Sequence, residues 1–151
     1  MFTVDTSVPA TALPKNGPYT ATITKVELIT SKVKEDGSGG NMMAKVELTV
    51  PPTEKSMVEQ KQTIPCKIFD YVVFPCAMDG SAKAAPDLCK IKANNFIKAM
   101  KLEGKDSSAI SELIGKEIDV TLRQQSDNYG DKMIVQKYIE DTLKDAANIP
   151  F

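Results

Sequence analysis

Tyr19-Thr20-Ala21-Thr22-Ile23-Thr24-Lys25-Val26-Glu27-Leu28-Ile29-Thr30 alternates apolar and polar residues, but the alternation changes phase midway. Tyr19, Ala21 and Ile23 fall on one face, while Val26 and Leu28 continue on the other. Successive side chains of a strand point to opposite faces, so a phase change inside one long strand predicts a β-bulge or a strong bend. Such a bend carries a strand from one sheet layer into a second.

Upstream, residues 1–17 read as an N-terminal arm, with Pro9, Pro14 and the turn signal Asn16-Gly17-Pro18 punctuating a polar stretch. Downstream, Ser31 to Asn41 holds Lys32, Lys34 and the run Asp36-Gly37-Ser38-Gly39-Gly40, which predicts a hairpin loop. The next strand alternates without a break. Met42, Ala44, Val46, Leu48 and Val50 share one face, Met43, Lys45, Glu47 and Thr49 the other, and Pro51-Pro52 ends it. Thr63 to Phe74 reads as a third strand, with Ile64, Cys66 and Ile68 inward and Lys67, Phe69, Tyr71 and Val73 on the opposite phase. From Asp87, expected to N-cap, apolar residues recur at helical spacing through Leu88, Ile91, Ala93, Phe96, Ala99 or Met100, and Leu102, closed by Gly104. A short helical turn is expected over Ser107 to Leu113. Gly115-Lys116 opens a fourth strand with Ile118, Val120 and Leu122 on one face, Gln124 to Asp131 reads as a loop, and Met133 to Ile139 forms the fifth.

Three strands, a helix and two strands, with the first strand bent, is the order of the five-stranded OB barrel. The expected fold is therefore mostly β, an OB-type barrel with a helix between strands 3 and 4. The division is an arm at 1–17, a barrel domain at 18–139 and an acidic C-terminal tail at 140–151, within a chain of 151 residues.

The opening Leu13-Pro14-x-x-Gly17-x-Tyr19-x-Ala21-x-Ile23 followed by Ser31-Lys32, and Leu113-Ile114-Gly115-Lys116-Glu117 before an alternating strand, resemble small phage-encoded single-stranded DNA-binding proteins of OB type. The likeness covers roughly residues 13–138 in pattern. The ending Ile149-Pro150-Phe151, with Glu140, Asp141 and Asp145 upstream, is similar to the tip of bacterial single-stranded DNA-binding proteins. There the acids abut Ile-Pro-Phe after a long polar linker, whereas here Ala146-Ala147-Asn148 intervene and the tail is short. The resemblance implies coating of single strands during phage replication or recombination, with Asp145, Ile149, Pro150 and Phe151 docking onto replication or recombination proteins. A ring beside a free carboxylate on a proline-stiffened tip suits an apolar pocket rimmed by Lys or Arg.

Charge limits the mode of binding. The chain carries 19 basic and 20 acidic groups, for a net charge of −1. With Lys144 and the three tail acids set aside, 18 basic and 17 acidic groups remain in residues 1–138, and Arg123 is the only arginine. Sequence-specific duplex readout, which leans on bidentate arginine, is therefore not expected. Binding of single strands needs only π-faces for the bases and cations that follow the phosphates. An OB barrel presents these on strands 2 and 3 and on the loops joining strands 1–2 and 4–5. The outward phases bring Lys45, Lys67, Phe69 and Tyr71 onto one surface, Lys32 and Lys34 project from the first loop, and Arg123, Tyr129 and Lys132 border the other. The alternative is that Phe69 and Tyr71 pack under a loop or helix, Tyr129 fills a turn and the lysines are merely solvated.

An enzyme is hard to build from these residues. The chain has no histidine for general base work, and Gly37-Ser38-Gly39-Gly40 lacks the Gly-Lys-Ser/Thr ending of a phosphate loop. Cys66, Cys76 and Cys89 form no C-x-x-C, so reduced thiols are expected rather than a zinc site, and neither metal nor cofactor is called for. The start Met1-Phe2-Thr3-Val4-Asp5 has neither the basic residues nor the apolar run of a signal peptide, and no apolar stretch is long enough to span a bilayer. The expectation is a cytoplasmic protein without membrane association, in the host cytoplasm if phage-encoded. Homo-oligomerisation stays open, since single OB domains gain avidity by it. The rival from another class is an OB-like structural or protein-interaction module that binds no nucleic acid.

Overall fold

The alternation of residues 42–50 is realised without exception. In the computed structural model, which describes residues 16–51, 65–127 and 130–145, strand β2 (Met42–Val50) buries Met42, Ala44, Val46, Leu48 and Val50 and leaves the intervening side chains half-buried. Full burial of a large aliphatic side chain contributes roughly 1.5–3 kcal/mol, so this one face strongly fixes the register of the strand. On one side β2 pairs antiparallel with β1 (Gly17–Thr30), on the other with β3 (Cys66–Val73).

The phase change in β1 is a bulge. The β1–β2 register shifts between Ile23 and Lys25, so Ala21 and Ile23 are fully buried before it, and Val26 and Leu28 pack partly against the core after it. The bend lets one strand serve two ladders. Residues Gly17 to Thr22 pair with β4 (Lys116–Asp127), and Thr22 to Thr30 pair with β2. Strand β4 continues into β5 (Gly130–Tyr138), giving the order β3-β2-β1-β4-β5. β3 and β5 then approach each other without a ladder among the described residues, which makes a nearly closed five-stranded OB-type barrel.

Helix α1 (Asp87–Ala99) lies between β3 and β4 in sequence and plugs the barrel with Ala93, Phe96 and Ala99, joined by Met100 just beyond it. The Phe96 ring meets Phe74 edge-on at 6.1 Å and Tyr138 at 5.4 Å, within the range where such pairs add to area burial. A single turn, α2 (Ser108–Ser111), follows and buries Ile110. Its entry is held by Asp106, whose Oδ1 accepts from the backbone N–H and hydroxyl of Ser108.

Several expectations are corrected. Asp87 is not the N-cap: it is the first helical residue, and Pro86 occupies the cap without a side-chain hydrogen bond. Proline there pre-sets an extended entry, and a carboxylate in the first turn still faces the positive end of the helix dipole. Leu88 and Ile91, placed on the apolar helical stripe, are 80% and 64% exposed, because the helix buries only its later residues Ala93, Phe96 and Ala99. The stretch Gln124 to Asp131 is mostly not a loop, since the β4–β5 ladder continues to Asp127↔Gly130 and its alternation is polar on both sides. The chain from 140 onward is likewise not all tail. Leu143 packs against the core, and strand β6 (Lys144–Asp145) pairs with Lys116 and Glu117 of β4. No described helix is long and apolar enough to cross a membrane.

Candidate nucleic-acid interface

Because β3 alternates, the residues facing away from its buried side form a row. Ile68, Asp70 and Val72 turn inward, while Lys67, Phe69 and Tyr71 turn outward, with Phe69 and Tyr71 50% and 47% exposed. The β2–β3 register sets Lys45 opposite Tyr71, Glu47 opposite Phe69 and Thr49 opposite Lys67. The Lys45 ammonium lies 5.9 Å from the centroid of the Phe69 ring, within cation–π reach. Large apolar rings left half open on a sheet face keep their π-surfaces available.

Where β3 and β5 run without a ladder among the described residues, a cleft of about 620 Å³ opens beside this row. Lys67, Phe69 and Tyr71 form one wall, and Gln125, Lys132 and Ile134 of the β4–β5 hairpin form the other. Asp131 stands on the rim and accepts a hydrogen bond from the Ser126 hydroxyl. Lysines thus flank the rings from both sides, and Glu47 and Asp131 offset part of their charge.

At the base of the cleft, side chains do what backbone pairing does elsewhere. The Tyr138 hydroxyl donates to Asp70 Oδ2 at 2.5 Å, and Lys92 from α1 forms an ion pair with Asp70 Oδ1. Asn95 completes the join: its amide donates to the Tyr138 carbonyl at 2.9 Å and accepts from the Tyr138 N–H at 3.0 Å. A buried carboxylate without partners is costly, so Asp70 is tolerated because β5 and α1 each supply one. Burial, and then the negative charge of Asp70, hold the Tyr138 phenol well above its ordinary pKa, so it remains a hydrogen-bond donor. Burial also raises the Cys66 thiol, which lines the same cleft.

Lys32 and Lys34 are exposed on the β1–β2 loop, which enters β2 at the Tyr71 end of the row. The loop is tightly organised. Asp36 Oδ1 accepts from the Ser38 hydroxyl and N–H, and these bonds, helped by nearby Lys34, lower its pKa. A Cβ at Gly39 would lie 2.1 Å from the Lys32 carbonyl oxygen, so only glycine fits there. Lys83 donates to the Gly39 carbonyl at 3.1 Å, and buried Asn41 donates to the Phe74 and Ala84 carbonyls at 2.9 and 3.1 Å. The loop is therefore pinned to the end of β3 and to the segment that leads into α1.

Of the residues proposed from sequence, Lys45, Lys67, Phe69, Tyr71 and Lys132 meet around one cleft. Arg123 is exposed on β4 opposite Ile134, two residues before the cleft-lining Gln125 and on the same face. Tyr129, Ile149, Pro150 and Phe151 lie outside the described residues. Asp145 sits on β6, its carboxylate 3.9 Å from the Lys116 ammonium. Sequence reasoning missed Asp70, Lys92 and Tyr138. The available signal was an acid between Ile68 and Val72 on the inward phase, a position that demands partners.

Fold and cleft together define an OB-type barrel that presents half-exposed rings and lysines along an open seam. Neither a protein-family model nor a curated protein matches this sequence.

Proposed function

We propose that this protein binds single-stranded DNA without sequence preference, as a non-enzymatic coating protein in phage replication or recombination. The observation that carries the reading is the pair Phe69 and Tyr71, half open on β3 and flanked by Lys45, Lys67 and Lys132 at the β3–β5 cleft. Base–aromatic stacking contributes about 1–3 kcal/mol per base, so two stacks offset the small net charge of the barrel. Lys32, Lys34 and Arg123 extend the basic set beyond the cleft, and Tyr129 joins it as an aromatic residue that lies in sequence between β4 and β5. The resemblance of residues 13–23 and 113–117 to phage proteins of this class supports the same reading. The Ile149-Pro150-Phe151 tip docks replication or recombination proteins, and the setting is the host cytoplasm.

Fluorescence anisotropy with labelled oligo-dT and the matching duplex, at two salt concentrations, tests the proposal. Binding to the single strand alone, weakening steeply with salt, is the expected result, because phosphate contacts release counterions. Absence of binding to both would favour the second reading, a protein-interaction module. Glu47 and Asp131, which dilute the charge of the face, are the observation on its side.

A further inference from the structure

Leu88 and Ile91, three residues apart on one face of α1, are left open although the rest of the helical stripe is buried. They form one wall of a groove of about 570 Å³ whose other wall is the β4–β5 hairpin. Thr121 and Lys137, paired across that hairpin, line it, and among the described residues no carboxylate does. Lys92 belongs to this groove and to the β3–β5 cleft alike. Strand β5 runs through both: residues 131–135 line the cleft and residues 136–137 the groove.

We infer that this groove is a second segment of the nucleic-acid track, receiving the same single strand as it leaves the β3–β5 cleft past Lys92. The inference rests on the proposed function. The two hollows share strand β5 and Lys92, so a strand that follows β5 out of one meets the other. Leu88 and Ile91 offer apolar surface to base faces, and Lys137 offers a cation to a phosphate. Lys92 shares its charge with Asp70, so Lys137 is the new positive charge that the groove contributes. From Lys132 to Lys137 the strand covers roughly 17 Å at about 3.4 Å per residue, enough to lengthen the footprint. A second copy of the chain is a poorer occupant. Even an aromatic side chain buries only about 150–250 Å², and two smaller ones fall well short of the roughly 800 Å² per partner of a stable interface.

The test compares two oligo-dT lengths, about 6 and about 20 nucleotides, at the short and beyond the long end of the usual site size of one OB fold. Lys137→Glu combined with Leu88→Ser and Ile91→Ser, all at exposed positions, is measured as the full chain, with circular dichroism to confirm the fold. Short-oligo affinity should stay within about twofold and long-oligo affinity fall about tenfold, since only the long strand reaches the groove. Lys137→Gln alone should shallow the salt slope on the long oligo by about 0.7, the value for one single-strand phosphate contact, which keeps the test decisive if the triple variant misfolds. Equal losses at both lengths, or an unchanged long-oligo affinity and salt slope, would overturn the track. Loss of self-association in sedimentation, with DNA binding intact, would give the groove to a second copy and overturn it too. A wild-type protein that binds neither length sinks the proposed function itself, a result distinct from all of these.

Discussion

The barrel has two kinds of seam. Between β2, β1 and β4 the strands are joined by backbone ladders, interrupted only by the bulge at Ile23 to Lys25, and the side chains beneath them are uniformly apolar. Between β3 and β5 no ladder forms among the described residues, and Asp70, Tyr138, Lys92 and Asn95 make the join instead. Backbone pairing is indifferent to side-chain identity, whereas the polar join depends on individual residues. The laddered side can thus carry stability while the open side carries a surface.

That contrast can be broken by mutation. The largest loss of stability is expected on the laddered side: Leu48→Ala, in a fully buried position, should cost about 2–5 kcal/mol in urea unfolding. Its folded fraction should bind oligo-dT as the wild type does, and a direct loss of affinity would show that the seams are not separable. At the open seam, Asp70→Ala removes the acceptor shared by Tyr138 and Lys92 and should cost about 2–3 kcal/mol by leaving a buried hydroxyl unpaired. It should also raise amide exchange in β5 more than in β2, whereas uniform exchange would mean that the polar join is not local.

The combined change Phe69→Ala and Tyr71→Ala should weaken oligo-dT binding at least about tenfold, from the loss of two stacks. It should shift unfolding by no more than about 0.5 kcal/mol, as surface changes do. Unchanged affinity with an intact fold would remove both rings from the site. Smaller still is a pH effect. The Tyr138 phenol is held above its unfolded value by burial and by Asp70, so the unfolded state loses its proton first as pH rises. Its contribution is complete below about pH 10, the unfolded value, and declines as pH climbs from there toward the folded one. Tyr138→Phe should flatten that alkaline decline relative to wild type in parallel unfolding curves, and identical slopes would show that Tyr138 does not titrate differently on folding.

The fold was legible where burial is one-sided. In β2 and in β1 on either side of its bulge, each position reports its face, so both the strand and a break in phase between Ile23 and Val26 could be read from hydrophobicity alone. Legibility failed where polarity hides geometry. Gln124 to Asp131 lacks apolar alternation, and its pairing with β5 is fixed by continuation of the hairpin rather than by burial. Leu88 and Ile91 obey the helical period yet stay open, because periodicity marks a stripe but not how far along it the helix touches its neighbour. At the candidate site, Phe69, Tyr71 and the lysines around them followed from strand phase. The partners of Asp70 did not, because they come from α1 and β5 and are brought together only by closure of the barrel.

The bulged first strand also sets an order of events in synthesis. Gly17 to Thr22 find their ladder partners only in Glu117 to Leu122, roughly a hundred residues later in the chain. At about 5–20 residues per second, a ribosome leaves that edge bare for several seconds after its first half has emerged. During that interval the strand carries buried-type residues, Ala21 and Ile23, with open hydrogen-bonding groups beside them. High contact order of this kind slows folding and lengthens exposure to aggregation, so the nascent chain is most vulnerable before its last third is made.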